Sequence, residues 1–140
     1  MSKLYNDGPN RKTGHCTIGY GHLVHYNPCN VKKYASEHKY INGISIKQAT
    51  VILQKDLSIA EKGINKLVTL TLNQNQFDAL VSLVFNIGVG AFSSSTLLKV
   101  INNNQLNKVP SAFRMWKKTS GRISAGLINR RESEIRLFQK

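Results

Sequence analysis

From about residue 45 the apolar residues of this chain return every three or four positions, whereas residues 7–31 are dominated by Gly, Asn, Pro and His. That change of pattern constrains the fold more than any other feature. In the first region Cys16-Thr17-Ile18 leads into Gly19-Tyr20-Gly21-His22, which reads as short strands joined by tight turns. In the second, Ser45 with Gln48 is a capping box. Behind it Ile46, Ala49, Ile52, Leu53, Leu57, Ala60, Ile64 and Leu67 keep helical spacing. Gly63 costs that helix roughly 1 kcal/mol relative to Ala. Asn73 with Gln76 opens a further helix carrying Phe77, Leu80, Val81, Val84 and Phe85, which Gly88 and Gly90 stop. Ser93 to Ser95 start a short helix through Leu97, Leu98 and Ile101 that ends at Asn102-Asn103-Asn104. Pro110 suits a first helical turn, with Ala112, Phe113 and Trp116 behind it, and Phe92, Phe113 and Trp116 read as core. Asn129 with Glu132 is read as the cap of a last helix carrying Ile135 and Phe138. The expected class is α+β: a β-containing lobe at about residues 1–44 and a larger helical lobe at about residues 45–140, within one domain.

A chain of 140 residues can bury a core without a staple. No apolar run reaches the roughly 20 residues of a membrane-spanning helix. Met1-Ser2-Lys3-Leu4-Tyr5-Asn6-Asp7 holds no apolar signal core, so no secretory signal is read. Twenty Lys and Arg against seven Asp and Glu give a net charge of +13, a field that attracts polyanions such as nucleic acid, anionic lipid or cell-wall polymers. The bases are spread as short pairs, Arg11-Lys12, Lys32-Lys33, Lys117-Lys118 and Arg130-Arg131. No groove-reading motif accompanies them, so nucleic acid is not expected as a partner.

Acids are scarce, and most fall on expected helices, where a solvated face is the ordinary reading. Asp7 differs. It precedes the glycine-rich segment by a few residues, within ten positions of Thr17. A carboxylate beside a hydroxyl can hold and activate a water as a general base. Asn6-Asp7-Gly8-Pro9 is also good turn chemistry.

Lys3-Leu4-Tyr5-Asn6-Asp7 and Gly14-His15-Cys16-Thr17-Ile18-Gly19-Tyr20-Gly21-His22-Leu23 resemble the active-site segment of phage-type lysozymes, the endolysins of glycoside hydrolase family 24. The likeness continues through residues 73–88, Gly90-Ala91-Phe92, Ser95-Thr96-Leu97-Leu98, Trp116, Gly126-Leu127 and Arg130-Arg131-Glu132. The resemblance implies a lysozyme-like fold with a cleft between its lobes. It also implies hydrolysis of the β-1,4 link between N-acetylmuramic acid and N-acetylglucosamine in bacterial peptidoglycan. Asp7 and Thr17 match the catalytic Asp and Thr. His22, Leu23, Phe85 and Ser95 match positions that bind the sugar. Arg130 or Arg131 matches the Arg that pairs with the acid Glu. No cofactor and no metal are implied. An inverting glycosidase needs a protonated acid and a second carboxylate roughly 6.5–9.5 Å away, with the water between them. In the family that acid is a Glu nine positions before the Asp, a position that lies upstream of Met1. The chain therefore reads as lacking the first helix of the family, with reduced lytic activity. An apolar strip left by that helix would favour self-association. A non-catalytic glycan-binding or decayed prophage protein is the alternative reading. The expected location is synthesis in the bacterial cytoplasm and action on the wall.

Cys16, His22, His25 and Cys29 carry ligand chemistry suited to zinc, but Cys-x₅-His-x₂-His-x₃-Cys is not a standard zinc spacing. A Cys16–Cys29 disulfide is possible in an oxidising compartment. Two free thiols is the reading adopted. For His22 the structural alternative is a bond to a neighbouring carboxylate that holds its lobe together, and this is preferred to proton transfer. His15, His25 and His38 receive no role.

Overall fold

The computed structural model describes residues 2–7, 14–119 and 121–140. The turn expected at Asn6-Asp7-Gly8-Pro9 runs into residues outside this set, and Arg11-Lys12 lies outside it. The chain divides into two compact units, Met1–Asp56 and Leu57–Lys140.

The first unit is built on an antiparallel sheet ordered β1 (Tyr5–Asn6), β2 (Cys16–Ile18), β3 (His22–His25). All three residues of the central strand β2 are buried. Gly19 and Gly21 take positive φ values of 62° and 81° and turn β2 into β3, with Ile18 paired to His22. The register shifts between Cys16 and Thr17, so Cys16 faces His25 while Thr17 faces Leu23. Ser2 and Ile44 form an isolated antiparallel bridge with two bonds of 2.7 Å. A 3-10 helix (Ala35–Tyr40) follows the sheet. Ile18, Tyr40, Ile44 and Ala49 form the core, with Leu4, Val24 and Ile52 against it.

The expectation of free thiols is corrected: Cys16 and Cys29 form a disulfide. The loop after β3 returns to β1, where the Cys29 N–H donates to Asn6 Oδ1 at 2.6 Å, bringing the second sulfur onto the first.

Helix α1 (Ile46–Leu67) starts in the first unit and ends in the second. The Ser45–Gln48 box is present: the Ser45 N–H donates to Gln48 Oε1 at 2.8 Å and the Gln48 N–H to Ser45 Oγ at 3.1 Å. Then come α2 (Gln74–Ile87), α3 (Val89–Ser93), α4 (Thr96–Asn102), a 3-10 turn (Leu106–Lys108), α5 (Val109–Arg114) and α6 (Ala125–Phe138). Asn73 and Gln76 form the second capping box, and Gly88 ends α2 with φ of 87°. Gly90 does not break the chain but lies within α3. The main core joins Leu80, Leu83 and Val84 of α2 to Leu97 and Ile101 of α4, Phe113 of α5, and Ile135 and Phe138 of α6. Phe92 is buried in it, and Trp116 packs at its edge. The Phe113 and Phe138 rings meet edge to face, 5.9 Å apart.

Two local features differ from the expectation. A hairpin, β4 (Lys118–Thr119) with β5 (Arg122–Ile123), precedes the last helix. That helix starts at Ala125 rather than near Asn129, because Ser124 Oγ caps it by accepting the Leu127 N–H at 3.3 Å. Gly63 also acquires a reason. A Cβ there would lie 2.7 and 2.8 Å from the two methyls of Val89, so the close approach of α1 to α3 requires glycine.

Candidate active site

Asp7 continues the β1–β2 ladder by one residue. Its N–H donates to the His15 carbonyl at 3.1 Å, and its Oδ1 accepts the His15 N–H at 2.6 Å. Since Tyr5 pairs with Thr17 and Asn6 with Cys16, alternation puts Asp7, Tyr5, His15 and Thr17 on one face. Leu23, opposite Thr17, joins them. The Thr17 hydroxyl donates to the His15 carbonyl at 3.0 Å and is 3% exposed, while Asp7 is exposed. The His15 ring lies 3.7 Å from the other Asp7 oxygen. Tyr5 is half exposed above the strand, with its hydroxyl 3.4 Å from the Gly19 carbonyl, and burial pushes its phenol above the ordinary value. This face offers an exposed carboxylate, a buried hydroxyl, an aromatic edge and an apolar side chain. Together these could hold a water and one rim of a saccharide.

His22 lies on the opposite face. Its Nδ1 is 2.8 Å from Asp56 Oδ2, and its ring meets Tyr40 edge to face. The bond to a carboxylate is therefore present, and the contact ties β3 to α1. The partner lies 34 residues away, so the sequence reading could not name it. His25 also gains a partner: its Nε2 is 2.6 Å from Glu37 Oε1, and the same oxygen accepts the Asn30 N–H at 2.7 Å. Glu37 carries no local signal in the sequence that points to this role. It is 1% exposed.

In the second unit Phe85 is half-buried on α2. Ser95 is buried. Its hydroxyl donates to the Phe92 carbonyl at 2.7 Å and accepts the Leu98 N–H at 3.1 Å, so it serves the start of α4. Arg131 is an internal residue in this structure. It is 1% exposed, its Nε lies 2.6 Å from Glu134 Oε1, and its guanidinium donates to Asn86 Oδ1 at 2.9 Å and to the Trp116 carbonyl at 3.4 Å. Burial pulls its pKa down, against the attraction of Glu134. Ser82 donates to the other oxygen of Glu134. Arg130 is exposed, with its Nε 3.7 Å from Glu134 Oε2. The signal for Arg131 was present as the spacing Arg131-x-x-Glu134, which puts both side chains on one helix face.

No helix among the described residues is long and apolar enough to cross a membrane.

A family model described as Phage lysozyme matches residues 1–134. The chain is 39% identical over 136 residues to the endolysin of Bacillus phage PZA, covering 97% of this chain and 48% of that one. It is 37% identical to the endolysin of Salmonella phage P22, covering 97% of this chain and 85% of that one. The chain thus spans about half the length of the Bacillus phage relatives it matches. Among solved structures it is similar to the muramidase domain of SpmX from Asticaccaulis excentricus, with a TM-score of 0.72 at 31% identity over 99% of this chain and 86% of that one. It is also similar to a variant of P22 lysozyme, with a TM-score of 0.68 at 34% identity over 99% of this chain and 87% of that one.

Proposed function

As the chain belongs to the phage lysozyme family, we propose that it hydrolyses the β-1,4 link between N-acetylmuramic acid and N-acetylglucosamine in bacterial peptidoglycan. The observation that carries this reading is the exposed Asp7 carboxylate on the same sheet face as the Thr17 hydroxyl. Asp7 is the general base that takes a proton from the attacking water. The Thr17 hydrogen is committed to the His15 carbonyl, which leaves the hydroxyl oxygen to accept a hydrogen bond from that water. Leu23 supplies an apolar wall for a sugar ring. The arrangement suits inversion, in which base and acid act from opposite faces of the sugar.

The general acid is the half of the pair that the 140 residues do not supply at the family position, nine before Asp7. The test compares wall clearing by the chain alone with clearing by the chain extended at its N-terminus by a Glu-bearing helix of the family type. General acid assistance is worth roughly 10²–10⁴ in rate, so the extended protein should gain by that order. No gain, together with retention on insoluble peptidoglycan without release of fragments, would instead establish a glycan-binding protein.

A further inference from the structure

Cys16, Cys29 and Glu37 bring two sulfurs and a carboxylate oxygen to within 4.8 Å of one another. They arrive from three different places: the central strand β2, the irregular loop after β3, and the 3-10 helix Ala35–Tyr40. Cys16 and Glu37 are fully buried. Glu37 is held in position by the Asn30 N–H at 2.7 Å and by His25 Nε2 at 2.6 Å. His25 itself faces Cys16 across the β2–β3 ladder. In the disulfide form Glu37 is satisfied through Oε1 by His25 and the Asn30 N–H, and neither bond uses its second oxygen. Two thiolates and a carboxylate are zinc donors, and an imidazole bonded to the carboxylate is the usual outer partner of such a ligand.

We propose that, when the Cys16–Cys29 disulfide is reduced, Cys16 Sγ, Cys29 Sγ and Glu37 bind one zinc-type divalent ion, with His25 orienting the Glu37 carboxylate from behind. An external dithiol or phosphine supplies two electrons, the S–S bond breaks, and two protons convert the sulfurs to thiols. Binding of the ion displaces those protons. The sulfurs must part to roughly 3.7 Å, the edge of a tetrahedron with Zn–S of about 2.3 Å. Cys29 gives way, because it lies outside any strand or helix. An external disulfide reverses the change: it takes the electron pair, is cleaved to two thiolates, and leaves Cys16 bonded to Cys29 with the ion released. Metal and disulfide are thus alternative clamps on one loop. One suits a reducing compartment and the other an oxidising one.

The test uses the whole chain. It is reduced with a phosphine under anaerobic conditions, desalted, and titrated with Zn²⁺ against a chromophoric chelator and with Co²⁺ in the spectrophotometer. The expected result is one ion per chain, bound tighter than about 1 μM, with sulfur-to-cobalt charge-transfer and tetrahedral bands. The disulfide form should show neither. Glu37→Gln should weaken binding at least about tenfold, and Cys29→Ser should lower the charge-transfer absorption to that of the single remaining thiolate. Far-UV circular dichroism of the oxidised Glu37→Gln protein checks its fold. If the reduced chain unfolds, zinc must restore the native spectrum. Failure to restore it, absence of stoichiometric binding by a folded reduced chain, or equal binding by the oxidised and Glu37→Gln proteins would each overturn the proposal.

Discussion

Asp7 and Thr17 grip the two ends of the same residue: the carboxylate takes the His15 N–H at 2.6 Å, and the hydroxyl gives its hydrogen to the His15 carbonyl at 3.0 Å. The backbone of His15, the residue before β2, therefore sets the spacing of the two side chains. Neither depends on a flexible partner for its position.

The first prediction concerns Asp7. Asp7→Asn keeps an oxygen that can accept the His15 N–H, so the fold should persist while the base is lost. In the Glu-extended protein, clearing should fall by roughly 10²–10⁴ with an unchanged melting temperature. A variant that clears walls at the parental rate would remove Asp7 from the mechanism.

Glu134 should be far more important for stability than its place on the last helix suggests. Its side chain is 4% exposed and neutralises Arg131, which is 1% exposed. Glu134→Gln leaves a buried guanidinium without its counter-charge, a change that costs about 3–5 kcal/mol. Urea unfolding of the variant beside the parent measures this. Replacing both residues by apolar ones of similar size should recover much of the loss.

Gly63→Ala gains helix propensity worth about 1 kcal/mol but drives a methyl into Val89, whose branched side chain cannot swing away. Overpacking of this kind costs about 1–3 kcal/mol, so the net change should be destabilising. The double variant with Val89→Ala should be less sensitive to the added methyl than the parent is. Additive losses in a thermal double-mutant cycle would argue against the contact.

Arg114 and Glu132 form an exposed two-bond pair at 2.6 and 3.2 Å. Hydrogen bonding to the guanidinium holds the Glu132 carboxyl below its ordinary value of 4.5. A carboxyl depressed in the folded state stabilises above its unfolded pKa and loses that contribution as pH falls through the folded one. Arg114→Gln should therefore lower the melting temperature slightly near pH 7 and hardly at all near pH 2. High salt should shrink the difference. An equal shift at both pH values would assign the effect to packing.

Much of the helical unit was legible because its signals are local. A Ser or Asn followed three residues later by Gln satisfies its own helix terminus, and an apolar repeat of three or four marks a buried face wherever that face packs. Ser45, Asn73 and Pro110 therefore stood where the sequence put them. Asn129 misled because a polar residue inside a helix resembles a cap, while Ser124, behind an unforeseen hairpin, takes that role.

What the sequence alone determined was the order of the short N-terminal strands and the main helices and the family to which they belong, since both rest on short-range spacing. What only the tertiary structure decided was which distant groups meet: Cys16 with Cys29, His22 with Asp56, His25 with Glu37, and Arg131 with Asn86 and the Trp116 carbonyl. The reason is physical. A cap or a helical stripe is satisfied within one turn of its own chain. A buried charge or sulfur must find its partner across loops of a dozen residues or more or through the packing around it, and no local pattern encodes that search.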